Sequence, residues 1–310
     1  MRDLLLYGHN DKGVRLPRLH ADVIVRNLLP FLAVTQPKGK VVATYLAHTC
    51  FVQCDGRLVC FGETFHGQCN VPPNLGSVRA VAAGLWHTCA VQSDGRIVCF
   101  GANEDGQCNV PQGLGPVKIV AAGRSHTCVV QSDGRLVCFG ANEYGQCNVP
   151  ADVGPVMAVA ARDSNTCAVQ CDGRLVCFGG NTFGQCNVPG DLDSVMTVAK
   201  GSWHTCAVQC DGRLVCFGDN EDGQCSVPVD LGPVMDVAAG ERHTCAVQCN
   251  GRLVCFGENE DGQCSVPADL GPVMEVVAGE SHTCAVQCDG RLVCFGYNPY
   301  GQCDVPADPR

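Results

Sequence analysis

Residues 273–306 read VMEVVAGESHTCAVQCDGRLVCFGYNPYGQCDVP, and six related copies precede them without a gap. The cysteine of the HTC motif, or of its variant, falls at positions 50, 89, 128, 167, 206, 245 and 284, so every interval is 39 residues. A fixed period of this length is typical of propellers and solenoids, in which each repeat buries its apolar surface against its neighbours. The repeat therefore decides the fold class.

Each unit predicts three strands. In the last copy these are VMEVVAG, HTCAVQ and RLVCFG, which are rich in apolar and β-branched residues and are separated by turn residues. Asp289-Gly290 is a strong hairpin signal, and we interpret it as a two-residue turn. Counting outward from that turn pairs Cys284 with Phe295 and Ala285 with Cys294.

This register makes both faces of the hairpin apolar, because side chains alternate along a strand. One face carries Cys284, Val286, Val293 and Phe295, and the other carries Ala285, Leu292 and Cys294. A sheet with two apolar faces must be covered on both sides, as blades stacked around an axis are. We therefore predict an all-β fold, a seven-bladed β-propeller of compact, mainly three-stranded blades over residues 39–310. An open solenoid would need polar caps, and none is evident.

The motifs G-x-x-HTC, DG, CFG and N-x-x-GQ resemble the regulator of chromosome condensation repeat family, whose units form seven-bladed propellers. Phe295 and its six equivalents stand where that family usually has Trp. The short unit and the GQC-x-VP ending look similar to the compact three-stranded blades of the propeller-type bacterial β-lactamase inhibitor. The resemblance covers residues 39–310 and implies the fold, but propellers host many unrelated functions.

Residues 1–38 precede the repeats. Their stretch LLLYGHNDKG (4–13) resembles LVCFG-x-N-x-x-G, so it predicts a latch strand that pairs with the first or last blade; a decayed half-repeat is the alternative. Leu4–Leu6 fall short of the roughly 7–15 apolar residues of a secretory signal, and Pro30 interrupts the longest apolar run. We therefore expect a cytoplasmic or nuclear protein.

The formal net charge of −10 argues against direct binding of nucleic acid, because phosphates select basic surfaces. It argues equally against an anionic membrane surface. We expect a monomer whose partner is another protein.

All 26 cysteines fall on four positions of the repeat. Disulfides would suit a secreted chain, but the predicted register puts Cys284 and Cys294 on opposite faces, which argues against a bond within a blade. Zinc usually takes C-x₂₋₄-C pairs from loops, whereas His282 and Cys284 lie along one strand. We favour free cysteines that pack as small hydrophobic residues, and we expect no metal site.

Histidine recurs at six equivalent strand positions: His48, His87, His126, His204, His243 and His282. A catalytic group needs one singular environment, so we interpret these as structural histidines that bond a neighbouring loop or blade. The sequence contains no P-loop, dinucleotide fingerprint or nucleophile elbow. We expect no enzyme activity and no cofactor.

Variation between repeats is concentrated at one end of the blades. The G-x-x-H turn and the N-x-x-GQ loop lie at that end, here called the top face, and the Asp-Gly-Arg turns lie at the bottom. Specific recognition needs distinct groups at distinct places, with aromatic and Arg anchors, although loops also drift freely. The candidate partner-binding residues are Phe65, Trp86, Glu104, Asp105, Arg124, Tyr144, Asp163, Phe183, Trp203, Glu221, Asp222, Arg242, Glu260, Asp261, Glu280 and Tyr300.

The fourth repeat departs most from the pattern, since residues 162–165 read RDSN in place of G-x-x-H. This is either a functional irregularity or a damaged blade. The sequence therefore predicts a non-catalytic protein–protein interaction scaffold that binds through the top face. The alternatives are a guanine-nucleotide exchange factor for a small GTPase, as the family resemblance implies, and a secreted protein inhibitor.

Overall fold

The structure, a computed structural model, describes residues 41–306, which form seven antiparallel three-stranded sheets and contain no helix. The first strands are β1 (Val42–Thr44), β4 (Val78–Ala83), β7 (Val117–Ala122), β10 (Val156–Arg162), β13 (Val195–Lys200), β16 (Val234–Ala239) and β19 (Val273–Ala278). The second strands are β2 (His48–Val52), β5 (His87–Gln92), β8 (His126–Gln131), β11 (Asn165–Gln170), β14 (His204–Gln209), β17 (His243–Gln248) and β20 (His282–Gln287). The third strands are β3 (Leu58–Gly62), β6 (Ile97–Gly101), β9 (Leu136–Gly140), β12 (Leu175–Gly179), β15 (Leu214–Gly218), β18 (Leu253–Gly257) and β21 (Leu292–Gly296).

The predicted architecture is confirmed. Each repeat is one blade whose strands pair in chain order, and the first strands line a central channel. The predicted latch strand at residues 4–13 lies outside the described residues.

The hairpin between the second and third strands has a three-residue loop, so the predicted two-residue turn is wrong. In the last blade Val286 pairs with Leu292, and the residues that follow Gln287 in the loop are Cys288, Asp289 and Gly290. Gly290 has φ +88°, a left-handed conformation that glycine adopts without steric cost. Its amide donates to the carbonyl of Gln287 at 2.9 Å, as in a turn that ends in a glycine bulge.

One extra loop residue moves the register by one, and a one-residue shift turns every side chain of one strand to the opposite face. Cys284 therefore faces Cys294 instead of Phe295, and Ala285 faces Val293. The true faces are a cysteine face and an alanine–phenylalanine face.

Opposed cysteines form cross-strand disulfides in six blades. The bonds are Cys50–Cys60, Cys89–Cys99, Cys167–Cys177, Cys206–Cys216, Cys245–Cys255 and Cys284–Cys294, with Cα atoms 4.1–4.2 Å apart. Cys128 and Cys138 pair in the same register without a bond. The prediction that all cysteines pack as free thiols is wrong for the twelve bonded ones, because it rested on the wrong register.

The blades stack face to face, and their two apolar faces are complementary. Between the sixth and seventh blades, Cys245, Val247 and Leu253 of one blade pack with Ala285 and Phe295 of the next. The same arrangement of a cysteine face against an alanine–phenylalanine face recurs between the fourth and fifth blades. The core is thus a set of thin interfaces between blades, each built from small side chains that permit close approach.

The described residues close the ring directly, because the seventh blade contacts the first. Val42 packs with Val277 and Cys284, and the Thr49 hydroxyl donates to the carbonyl of Gln302 at 2.8 Å. The Glu280 amide donates to the carbonyl of Tyr45 at 3.1 Å. These contacts match those at the other blade joints.

The disulfides predict a defined thiol count. Denaturing the purified protein without reductant should leave 14 reactive thiols, or two fewer if Cys128 and Cys138 also bond. Reaction with a thiol-specific chromophore checks the number, and the reduced protein should give all 26 cysteines. A count of 26 without reductant, from protein made in an oxidising compartment, would contradict the cross-strand bonds.

Candidate functional site: the top face

The top-face loop of each blade is held by repeated residues: Gln and Cys in all seven blades, and Asn in every blade except the first, which has Thr64. In the second blade the Asn103 side chain accepts from the Cys108 amide at 2.8 Å, and the Gln107 side chain accepts from the Asp105 amide at 3.0 Å. The Cys108 thiol donates to the Ala102 carbonyl at 3.3 Å. The repeated Asn, Gln and Cys are therefore used up in internal hydrogen bonds, and the two residues after Asn are presented outward.

Burial keeps the loop thiols protonated in their donor role. The pKa of Cys225 is raised to about 12 by desolvation, with a further contribution from the charge of Asp219. Desolvation and Glu258 raise the pKa of Cys264 in the same way, also to about 12. These cysteines stabilise the loop and are poor nucleophiles, since the thiolate is the reactive form.

Each loop lies against the first turn of the next blade, so every blade joint carries one composite patch. At the first joint His66 stacks on Trp86 with ring centroids 4.7 Å apart, and at the fourth joint Phe183 contacts Trp203 at 5.0 Å. At the fifth joint the Arg242 guanidinium forms an ion pair with Asp222 at 3.1 Å.

The aromatic side chains of the top face are largely open to solvent. Phe65 is 85% exposed, Tyr144 64%, Tyr300 49% and Phe183 46%. Trp86 and Trp203 are half-buried beneath their loop partners. Exposed aromatic rings held on a rigid loop are the usual anchors of protein interfaces.

Apart from Asp163 and Glu280, the acidic residues of the candidate set divide into two arcs. Glu104 and Asp105 lie at the second joint, while the larger arc covers the fifth and sixth joints with Glu221, Asp222, Glu260 and Asp261. Within the larger arc desolvation and the charge of Asp222 raise the pKa of Glu258. Beside it, burial raises the pKa of Glu280 to about 7.

Asp163 occupies the inner rim of the top face, near the axis. Its Oδ1 accepts from the Tyr45 hydroxyl at 3.0 Å, and its φ of +43° is unusual for a residue other than glycine. The Arg162 guanidinium lies over the Tyr45 ring, 4.4 Å from the centroid. Tyr45 was missing from the candidate residues, although it stands where five repeats have glycine and so was visible as a departure from the repeat.

The repeated histidines join neighbouring blades, as predicted. His87 Nε2 lies 2.9 Å from the Thr127 hydroxyl of the next blade, and that hydroxyl donates to the Gln107 carbonyl. Because the hydroxyl proton is already used, the histidine must donate from Nε2. Desolvation lowers the pKa of His87 to about 3, so the ring is neutral at pH 7 and its single proton is on Nε2. Equivalent contacts start from His48, His126, His204, His243 and His282.

The joint between the fourth and fifth blades replaces this contact with another. Asn165 stands at the histidine position, and Lys200 stands where five repeats have alanine at the end of the first strand. Lys200 Nζ donates to the Thr205 hydroxyl at 2.7 Å and to the Gln185 carbonyl at 3.1 Å. The lysine therefore takes over the donor role of the histidine. Lys200 compensates for the missing histidine, so the fourth blade is not a damaged blade.

Within residues 41–306 no group of three or more His, Cys, Asp or Glu side chains is arranged to hold a metal ion. The same stretch contains no helix that is long and apolar enough to cross a membrane.

The family model described as the regulator of chromosome condensation (RCC1) repeat matches five segments of the chain. They are residues 78–107, 117–146, 197–224, 234–263 and 275–302. The unmatched first and fourth blades are the two that carry Tyr45 and Arg162 in place of the turn glycine. No curated protein sequence matches the chain significantly.

Solved structures of propellers are similar to this fold. The ectodomain of the receptor kinase CR4 from Physcomitrella patens has a TM-score of 0.71 and 19% identity, covering 84% of this chain and 74% of that one. The ectodomain of ACR4 from Arabidopsis thaliana has a TM-score of 0.68 and 20% identity, covering 83% and 97%. Prp20p from Saccharomyces cerevisiae, whose structure was described with its binding to Gsp1p and histones, has a TM-score of 0.68 and 17% identity, covering 84% and 83%.

The buried histidines predict a loss of stability in mild acid. Desolvation lowers the pKa of His48 to about 4 and those of His87, His204, His243 and His282 to about 3. The unfolded chain binds protons near pH 6.5 and the folded chain does not. The free energy of unfolding should therefore fall as the pH drops from about 6.5 towards 4, by up to ~1.4 kcal/mol per histidine per pH unit. Urea unfolding midpoints at pH 7, 6, 5 and 4 measure this, and a flat profile would contradict it.

The lysine contact of the fourth joint should also work at the joint between the second and third blades, where His87 contacts Thr127. His87→Asn should cost about 1–3 kcal/mol of unfolding free energy, because the Thr127 hydroxyl loses its donor. Adding Ala122→Lys, the counterpart of Lys200, should recover part of that loss. A double-mutant cycle by urea unfolding measures the coupling, and strictly additive effects would contradict the exchange of donors.

Proposed function

We propose that this chain, five of whose blades match the regulator of chromosome condensation repeat, is a non-catalytic protein–protein interaction scaffold. Its variable top-face loops bind the partner. The family and the propeller fold alone do not name a partner, because one fold carries many functions. The proposal depends on how the top face is constructed.

The observation that carries the proposal is that each loop contains two sets of residues: repeated residues that hold its shape, and variable residues that are exposed. The repeated Gln and Cys, and the Asn of six blades, form internal hydrogen bonds, as Asn103, Gln107 and Cys108 do, while Glu104 and Asp105 between them are exposed. The same geometry presents Phe65, Tyr144 or Tyr300 at other joints. Different side chains on identical rigid supports favour recognition, since a preorganised surface loses little entropy when it binds.

The chemistry of the top face indicates the kind of partner. The large acidic arc at the fifth and sixth joints borders the Phe183–Trp203 pair, which offers an apolar anchor beside negative charge. A complementary surface would carry Lys or Arg next to an exposed apolar side chain. Charge of this kind speeds encounter and sets orientation, while the aromatic pair supplies affinity.

The cytoplasmic location expected from the sequence stays untested, and the six disulfides argue against it. Structural disulfides persist in oxidising compartments and are rare in the cytosol. They favour an extracellular scaffold, a setting in which the receptor-kinase ectodomains display a similar fold. The secreted-inhibitor alternative gains the same support, since an inhibitor is also a protein-binding propeller.

Exchange of guanine nucleotides on a small GTPase is supported by the family and fold alone, so it stays an alternative. A nucleotide-release assay with a panel of small GTPases decides it. Acceleration of release at catalytic protein concentrations would replace the scaffold proposal.

The test of the scaffold compares two matched variants. Phe183→Ala combined with Trp203→Ala should weaken partner capture by about 2 kcal/mol, roughly 30-fold in Kd, if the pair is an interface anchor. Arg135→Ala combined with Arg213→Ala removes exposed side chains of the bottom face and should leave capture unchanged. Quantitative pull-down from native extract identifies the partner, and titration calorimetry then gives the affinity.

Thermal unfolding of both variants controls for folding damage. Capture that both variants retain would overturn the proposal, as would equal loss in both with unchanged thermal stability.

A further inference from the structure

The first strands of the seven blades enclose a central cavity of about 530 Å³. Its wall is formed mainly by valine and alanine, such as Val120, Val159 and Ala199. The charged residues among its described lining are Lys118, Arg162 and Lys200, all cationic, in a chain whose net charge is −10. A cavity of this volume is in the range of sites for small organic molecules.

Arg162 has an unused hydrogen-bonding edge in this cavity. It is only 4% exposed, and its Nη1 donates to the Ala278 carbonyl at 2.9 Å. Its Nε and Nη2 are buried and have no partner. These two nitrogens form one edge of the planar guanidinium, the edge that binds a carboxylate through two parallel hydrogen bonds.

No carboxylate of the described residues forms a hydrogen bond with this edge, although Glu280 lies near enough for its charge to interact with Arg162. The neighbouring Asp163 accepts from the Tyr45 hydroxyl and is not part of the cavity wall. Buried donors without a partner are costly, so a site that keeps them unpaired points to a ligand. Lys200, also 4% exposed, already donates to Thr205 and adds positive potential nearby.

Departures from the repeat place both cations here. Arg162 stands where five repeats have glycine, and the Lys200 position is alanine in five repeats. The fold does not need Arg162 at its position, because five other blades form with glycine there. Lys200 replaces the histidine donor of the fourth joint and adds its charge to the cavity wall as well. Both substitutions occur on neighbouring blades and converge on the same cavity.

We propose that the central channel binds a small organic monocarboxylate with an apolar body. The carboxylate accepts two hydrogen bonds from Nε and Nη2 of Arg162, and the apolar body lies against the valine and alanine wall. This site lies at the inner rim of the top face, where Arg162 begins the first turn of the fourth blade, and it does not depend on the proposed scaffold function.

The test uses octanoate as the probe and the purified full chain, with titration calorimetry as the readout. Octanoate should bind the wild-type protein, and octan-1-ol, which has the same chain length without the charge, should bind about tenfold or more weakly. Arg162→Gln should reduce octanoate affinity by about tenfold or more and leave octanol binding nearly unchanged. Arg124→Gln, which removes an exposed top-face arginine outside the cavity wall, is the matched control and should bind octanoate normally.

Two further variants separate loss of binding from loss of folding, and the charge of Arg162 from its two-donor edge. Arg162→Gly restores the residue of five other blades, so it should fold and lose octanoate binding. Arg162→Lys keeps the charge but lacks the two-donor edge, and should bind less tightly than the wild type. No octanoate binding at millimolar concentration, equal affinity for octanoate and octanol, or full binding by folded Arg162→Gly would overturn the proposal.

Discussion

The register of the hairpin between the second and third strands determines almost everything else in this propeller. Gly290 and its equivalents adopt a left-handed conformation that ends a three-residue loop, and that loop sets which side chains share a face. The cysteines oppose each other because of it, and Ala285 and Phe295 share the face that the preceding blade covers. A loop one residue shorter would bring cysteine and phenylalanine onto the same face and leave neither interface complementary.

The architecture could be predicted from the sequence, but this register could not. A 39-residue period with two apolar hairpin faces is enough to predict seven blades, since stacked neighbours cover both faces and a closed ring, unlike a solenoid, needs no polar caps. Asp-Gly is compatible both with a two-residue turn and with a type I turn followed by a left-handed glycine, and the residues do not distinguish them. The disulfides were not predicted, because the wrong register placed the two cysteines on opposite faces. The histidine contacts were predicted in kind, but their threonine partners lie 40 residues away and follow from blade geometry alone.

The top face was predictable as a surface, because variation between copies marks it, and its composite patches were not. The stacking of His66 on Trp86 joins two different blades, and neither residue signals the other in the sequence. The replacement of a histidine donor by Lys200 was not predictable for the same reason, because the two substitutions lie on different blades. It can be recognised only when the facing ends of two blades are known, although each substitution is visible as a break in the repeat.

The closed ring has a kinetic consequence that a linear stack of the same units would not have. Breaking the joint between the seventh and first blades would release no blade, because each still contacts its other neighbour through an intact interface. The two separated surfaces would remain tethered at high effective concentration, so they would rejoin faster than water or a second chain could cover them. A blade can leave only when two joints open together, and this makes the lifetime of the folded state much longer than the strength of any one joint suggests.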